Sequence, residues 1–117
     1  MGVSMVIRVL QIIAALGTIA TGVVSLVRPR SVRGFTGLLA EGGRGITEIR
    51  AVLGGFFVAL GAVPLVINEP ATYQMLGIAY LAVGVTRAVS MVIDKSVVRS
   101  NIISLVVEVV FGIILVF

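Results

Sequence analysis

Four long apolar segments dominate the sequence and restrict what it can fold into. A helix that crosses the roughly 30 Å hydrocarbon layer of a bilayer needs about 20 residues, because each residue adds about 1.5 Å. Three segments reach that length, and the fourth still spans the bilayer if it stands upright. The chain is 59% apolar and 12% charged, whereas soluble domains are about 45–50% apolar and about 25% charged. The sequence therefore predicts an all-α integral membrane four-helix bundle in one domain, residues 1–117, with helices at about 5–27, 46–67, 71–93 and 101–117.

The residues between the segments agree with this division. Pro29 follows the first helix and stops it, and Pro70 lies near the first turn of the third. Either Ser100 or Asn101 is a suitable cap for the fourth helix. Two of the three connections are short, which predicts antiparallel neighbours as in a helical bundle.

The longer connection, residues 28–45, mixes apolar and basic side chains. Its apolar residues recur at roughly helical spacing with two arginines beside them. This pattern predicts a short helix that lies in the membrane interface and is ended by Gly42 and Gly43. The alternative is an ordered loop without that shape. The apolar residues are Val32, Phe35, Leu38 and Leu39, and the arginines are Arg30 and Arg33.

The placement of basic residues predicts the orientation. Six of them lie in the first and third connections, against Arg8 and the amino terminus at most on the other side. Cytoplasmic loops carry the excess of positive charge, so the 28–45 and 94–100 connections are predicted to be cytoplasmic, with both termini on the outer side of the cell membrane. Nucleic-acid binding is excluded, because these cations flank membrane helices without an aromatic platform. The six are Arg28, Arg30, Arg33, Arg44, Lys95 and Arg99.

The third helix carries polar residues along one face. They recur every seven residues, with glycines between them at the spacing of the same helical face. A charge on a membrane helix must face protein or water rather than lipid, so this face is predicted to point inward. It comprises Tyr73, Tyr80, Arg87 and Asp94, with Gly77 and Gly84 between them.

The other three helices carry comparable stripes of polar or small residues. Small residues let membrane helices approach closely, because lipid offers no hydrophobic drive for association. The first helix has one such stripe, Gln11, Thr18 and Ser25, and the fourth has another, Asn101, Ser104 and Glu108. The second helix has two: Glu48, Gly55 and Ala62 form one, and Arg50, Gly54 and Gly61 form the other.

Four charged residues, Glu48, Arg50, Arg87 and Glu108, form the candidate site. In the predicted orientation all four lie in the cytoplasmic half of the bilayer or at its midplane, and their charges cancel. A lone charge at a helix centre costs at least about 2.5–3.5 kcal/mol, so we predict that Arg87 pairs with Glu108, supported by Glu48 or Tyr80. Two interpretations stay open: the cluster lines a ligand pocket, proton path or anion site, or it is an ion-pair lock that fixes helix register. The supporting polar residues are Tyr73, Ser90, Asp94, Asn101, Ser104 and Gln11.

The composition excludes several chemistries. The chain has no cysteine and no histidine, so disulfides, thiol redox chemistry, histidine-ligated haem and a histidine general base are excluded. Glu48 and Glu108 are two carboxylates, but nothing provides a nucleophile with an activating base. The sequence thus predicts no catalytic residues, no metal site and no cofactor, and leaves a bound lipid or quinone open.

Two short motifs carry a resemblance to a known family. One is Glu48-Ile49-Arg50-Ala51 with Gly54-Gly55, and the other is Arg87-x-x-Ser90-x-x-x-Asp94. Together with hydropathy over nearly the whole chain, they resemble a family of small bacterial four-helix membrane proteins often grouped with the DoxX-like proteins. The resemblance implies a four-helix bundle with the arginine motif inside, and it implies no activity. Some DoxX-like proteins look like subunits of quinone-linked oxidoreductases, and others like assembly partners.

The sequence leaves three functional hypotheses. The leading one is a non-enzymatic membrane binding or accessory subunit, which forms a homo-oligomer or associates with another membrane protein. The second is a minimal oligomeric transporter or channel lined by the polar stripes. The third is a lipid- or quinone-binding subunit of a membrane oxidoreductase, in which Tyr73, Tyr80 and Arg87 contact a headgroup.

Overall fold

A computed structural model describes residues 2–117, and these residues are almost entirely helical. No β-strand occurs within them, which confirms the all-α fold class. In chain order the elements are α1 (Gly2–Val27), a 3-10 turn (Pro29–Val32), α2 (Arg33–Thr36), α3 (Gly42–Glu48), a π-helix (Ile49–Phe56), α4 (Phe57–Ile67), α5 (Pro70–Ile93) and α6 (Arg99–Val116).

Four helical segments are long and apolar enough to cross a membrane, as predicted for a multi-pass membrane protein. The second of them is continuous from α3 through the π-helix to α4. Large apolar side chains cover their outer surfaces; Val66 and Val92, for example, are 81% and 74% exposed. Such a surface suits lipid rather than water as its solvent. The four spans are Gly2–Val27, Gly42–Ile67, Pro70–Ile93 and Arg99–Val116.

The start of α6 differs from the predicted cap. The helix begins at Arg99, and Val98 occupies the N-cap position without a side-chain hydrogen bond. Asn101 does not cap the helix because its side chain is engaged elsewhere: its amide nitrogen donates to the Ser96 carbonyl oxygen at 2.9 Å, and its amide oxygen accepts from Arg87. The prediction of a Ser100 or Asn101 cap is therefore wrong.

The first connection contains a shorter helical stretch than predicted. The 3-10 turn and α2 together end at Thr36, and Gly37 closes α2 in the left-handed conformation, with φ of 76°. Gly42 and Gly43 do not end this stretch; they begin α3. Val32 is fully buried, whereas Phe35, Leu38 and Leu39 are exposed.

Gly37 provides a test of this helix end. A side chain in the left-handed region costs roughly 1–2 kcal/mol, so Gly37→Ala should destabilise the protein by about 1 kcal/mol. Gly34→Ala is the matched control, because it lies in α2 itself with nothing within 4 Å of its added Cβ, and alanine favours a helix over glycine. Thermal unfolding in detergent should show a lower midpoint for Gly37→Ala alone. Equal midpoints for the two variants would contradict this helix end.

The helices pack side by side within two compact units. The first contains the start of α1, through Ile12, together with Glu69–Phe117. In it α5 and α6 run antiparallel and approach closely where Gly77 faces α6: a Cβ on Gly77 would lie 2.9 Å from the Val116 nitrogen. Gln11 adds α1 to this unit by donating to the Ile114 carbonyl oxygen at 3.0 Å.

The second unit contains residues 13–68. The predicted inward stripe of α1 is buried, with Thr18 at 1% and Ser25 at 0% exposure. Both hydroxyls donate to carbonyl oxygens one turn earlier in their own helix, which gives each buried hydroxyl a hydrogen bond.

The second span contains a feature that the sequence did not indicate. Residues Ile49–Phe56 form a π-helix, whose wider turn shifts the register of the residues before it relative to α4. As a result Ile49 and Gly54 are buried, whereas Glu48 and Gly55 are exposed. The predicted inward stripe of Glu48, Gly55 and Ala62 is therefore wrong.

Candidate functional site

The centre of the candidate site is a bidentate ion pair between Arg87 of α5 and Glu108 of α6. Arg87 Nε donates to Glu108 Oε1 at 2.8 Å, and Arg87 Nη2 donates to Oε2 at 2.7 Å. The planar guanidinium matches the two carboxylate oxygens, so both bonds form in one geometry. This is the pair that the sequence predicted from opposite charge and similar depth.

The antiparallel packing of α5 and α6 brings these side chains together. The turn after α5 returns the chain within a few residues, so the last turns of α5 lie beside the first half of α6. Gly84 lies one turn before Arg87, and a Cβ there would lie 3.7 Å from the Glu108 Cβ. The small residue keeps the two helix axes close enough for the ion pair to form.

Asn101 is the second partner of Arg87. Arg87 Nη1 donates to Asn101 Oδ1 at 2.9 Å, and Asn101 holds the Ser96 carbonyl oxygen of the interhelical turn. The sequence had placed Asn101 among the supporting residues and proposed Glu48 or Tyr80 for this contact. Asn101 therefore links the ion pair to the turn between the helices.

The two members of the ion pair differ in burial. The Glu108 side chain is 9% exposed, and the Arg87 side chain is 30% exposed. Glu108 has both oxygens paired, which a buried carboxylate requires. Arg87 has five N–H donors, and Glu108 and Asn101 engage three of them. Among residues 2–117, two donors of Arg87 are left without an acceptor.

Arg87 forms part of the wall of an open cleft of about 420 Å³ in the same unit. Its volume lies in the range of about 300–1,000 Å³ that is usual for small-molecule sites. Val83 and Met91 lie one helical turn to either side of Arg87, so the helical spacing of α5 could have identified them as neighbours of the site. The cleft is lined by Ala82, Val83, Thr86, Arg87, Ser90, Met91, Ser96 and Asn101.

Four further predicted residues lie on α5 and α6 or at the end of α5. Ser90 lines the cleft and donates to Asp94, which is exposed at the helix end. Tyr80 packs edge-on against Phe111, with ring centroids 5.5 Å apart. Ser104 is partly buried on α6.

A second polar group lies toward the other end of α5. Tyr73 is 2% exposed, and the Arg8 guanidinium carbon lies 4.8 Å from the centre of its ring, as in a cation–π contact. With Gln11 they line a smaller cavity of about 140 Å³. From the sequence, Arg8 entered only the prediction of orientation, but it lies three residues before Gln11 and therefore on the same face of α1, so helical spacing could have identified it as a neighbour of this cavity.

The remaining two predicted site residues lie in the other unit. Glu48 forms an exposed ion pair with Arg44, four residues earlier on α3. Arg50 is exposed and donates from Nε to the Leu26 carbonyl oxygen at 3.1 Å. Each thus has a partner within residues 13–68.

A family model for a domain of unknown function, DUF4345, matches residues 6–117. The chain belongs to the DUF4345 family. The match covers most of the first span, all of the other three and both members of the ion pair of this DUF4345 protein. No curated protein and no solved structure matches the chain. The likeness to DoxX-like proteins, inferred from two short motifs, stays a prediction.

Proposed function

We propose that this DUF4345 protein is a non-enzymatic binding or accessory subunit of the membrane, and that the cleft beside Arg87 is its binding site. The observation that carries the proposal is the unequal burial of the ion pair, 9% exposure for Glu108 against 30% for Arg87. A lock that only fixes helix register gains nothing from exposing one partner. A binding group needs a buried anchor and an accessible head, and Glu108 and Arg87 match these two roles.

The N–H donors of Arg87 that remain unused in the cleft support the same function. Arg87 is oriented by Glu108 and Asn101 and still has two donors available for another molecule. A side chain held in place by the protein loses little conformational entropy when it binds, and this preorganisation favours affinity. The two partners thus hold Arg87 ready for a ligand in the cleft.

Native mass spectrometry of the detergent-purified full chain tests the binding role. We expect the wild type to retain a small molecule at fixed stoichiometry and the double variant Arg87→Gln/Glu108→Gln to lose it. That variant removes one charge of each sign and keeps hydrogen-bonding amides. The control Arg33→Gln/Glu41→Gln makes the same change at exposed positions and should retain the molecule. The same spectra count subunits, for which we propose a homo-oligomer.

Two results would overturn this function. One is a wild type with no retained molecule under gentle activation. The other is ion flux in proteoliposomes of the purified wild type that disappears in Glu108→Gln, because it would make the protein a channel or transporter.

We also propose that the termini face outward and that the 94–100 connection is cytoplasmic, on the basis of the basic residues in the connections. The chain has no cysteine, so an introduced cysteine is its only thiol. Labelling of that thiol then shows on which side of the membrane the residue lies. We expect Lys95→Cys to react with a membrane-impermeant maleimide from the cytoplasmic side and Glu69→Cys from the outer side. The reverse pattern would contradict the orientation.

A further inference from the structure

We infer that the cleft beside Arg87 binds the phosphate group of an anionic phospholipid from the leaflet at the α5–α6 turn. This inference rests on the proposed binding function and names the class of ligand. It depends on three features of the cleft: the type of hydrogen-bonding groups that it offers, its distribution of polar and apolar lining, and the charge around its mouth.

The charged side chain that lines the cleft, Arg87, offers only N–H donors. Two N–H groups of Arg87 remain after its bonds to Glu108 and Asn101. The Asn101 amide nitrogen uses one hydrogen for Ser96 and retains the other. An acceptor-only ligand satisfies such a set best, and guanidinium groups match phosphate oxygens geometrically. The hydroxyls of Thr86 and Ser90 also line the cleft, but they already donate to the Ala82 carbonyl oxygen and to Asp94. The charged donors of Arg87 are therefore the strongest groups left for a ligand.

The lining is apolar toward the middle of α5 and more polar at the interhelical turn. Ala82 and Val83 lie at the end nearer the middle of the helix, whereas Ser96 and Asn101 lie at the interhelical turn. From residue 82 to residue 91 the helix rises by about 14 Å, and Arg87 lies about 9 Å before the last residue of α5, Ile93. An amphiphile fits this gradient with its head near the turn and its chain toward the bilayer centre.

The charge around the turn end favours an anion. Arg87, Lys95 and Arg99 are basic, whereas Asp94 and Glu108 are acidic, so the region carries one excess positive charge. Lys95, Arg99 and Asp94 are exposed and shape the approach to the cleft rather than its interior. The α6 N-terminus, which has no side-chain cap, adds partial positive charge on the same side.

The test is a titration of the full chain in neutral detergent with three probes, read by native mass spectrometry. The probes are short-chain phosphatidylglycerol, short-chain phosphatidylcholine and inorganic phosphate. We expect phosphatidylglycerol to bind at least about fivefold more tightly than phosphatidylcholine, since one excess positive charge near a surface has roughly that effect. Inorganic phosphate should bind at least as weakly as phosphatidylcholine, because it leaves the apolar end of the cleft unfilled.

Variants assign the binding to the cleft. Arg87→Gln/Glu108→Gln should weaken phosphatidylglycerol binding by about tenfold or more, and Arg33→Gln/Glu41→Gln should leave it unchanged. Ala82→Phe fills the apolar end of the cleft and leaves both residues of the ion pair unchanged. It should also weaken phosphatidylglycerol binding. This variant tests the cleft even if the double variant does not fold.

Four results would overturn the inference. They are equal affinity for the two lipids, inorganic phosphate binding as tightly as phosphatidylglycerol, unchanged lipid binding in the Arg87→Gln/Glu108→Gln variant, and unchanged binding in Ala82→Phe. If the purified protein instead retains a neutral quinone, the binding function stands and the phosphate assignment fails. The two proposals are therefore separable.

Discussion

Replacing Arg87 by alanine should destabilise the protein by about 3–5 kcal/mol, the usual cost of removing one partner from a buried ion pair. The change leaves the Glu108 carboxylate, which is 9% exposed, without its two charged hydrogen bonds. Glu108→Ala should cost less, about 1–3 kcal/mol, because Arg87 is already partly exposed and its flexible side chain can reach polar surroundings. The free energy of unfolding should therefore fall more for Arg87→Ala than for Glu108→Ala.

Equilibrium unfolding in mixed micelles with increasing denaturing detergent measures this difference. Arg87→Ala combined with Glu108→Gln should recover much of the loss, because the buried charge is then gone as well. Arg33→Ala, at an exposed position, should leave stability within about 0.5 kcal/mol of wild type. Equal losses for Arg87→Ala and Glu108→Ala, or no recovery in the double variant, would show that the pair is not buried as described.

A large loss of stability is also expected from a side chain at Gly61 of α4, where α1 and α4 approach closely. A Cβ at Gly61 would lie 2.5 Å from the Ala15 carbonyl oxygen and 2.9 Å from the Ile19 nitrogen. Both are backbone atoms, so no side chain can rotate away and the helices must separate. Gly61→Ala should therefore destabilise the second unit by about 1–3 kcal/mol, the range for overpacking.

Gly55 provides the matched control on the same span. Its added Cβ would come no closer than 3.9 Å to another atom, the Arg50 carbonyl oxygen, and the residue is exposed. Gly55→Ala should be neutral or stabilising, because alanine is a better helix former than glycine by up to about 1 kcal/mol. The same unfolding measurement compares the two variants. Equal stability for both would contradict the close approach of α1 and α4.

Features that depend on bilayer thickness or on charge pairing could be predicted from the sequence. The four spans followed from segment length and hydropathy, because a helix must match the hydrocarbon layer. The Arg87–Glu108 pair followed from opposite charges at similar depth on two helices joined by a short turn. Segment length, hydropathy and the positions of opposite charges can all be read directly from the sequence.

Features that depend on competition between local backbone conformations or between hydrogen-bond partners could not be predicted in the same way. The π-helix at Ile49–Phe56 has no compositional signature, and it moved Glu48 from a predicted inward stripe to an exposed ion pair with Arg44. Asn101 was suited equally to a helix cap and to an ion-pair partner, and only the packing of α5 on α6 decided between them. The helix predicted to end at Gly42 and Gly43 ends at Gly37 instead, and Gly37 and Gly42 both adopt positive φ, so spacing alone did not show which glycine closes it.

Thiol labelling shows most directly whether the cleft beside Arg87 is open to molecules from water or the headgroup layer. Ser90 lines the cleft, and its neighbour Val89, at similar depth, is 52% exposed on the outer surface of the span, where it faces lipid. In phosphatidylcholine vesicles, Ser90→Cys should react with a small water-soluble maleimide and Val89→Cys should not, because a thiol in hydrocarbon does not ionise. If Ser90→Cys is as unreactive as Val89→Cys while Lys95→Cys reacts, the cleft is closed and the ion pair is only a structural lock.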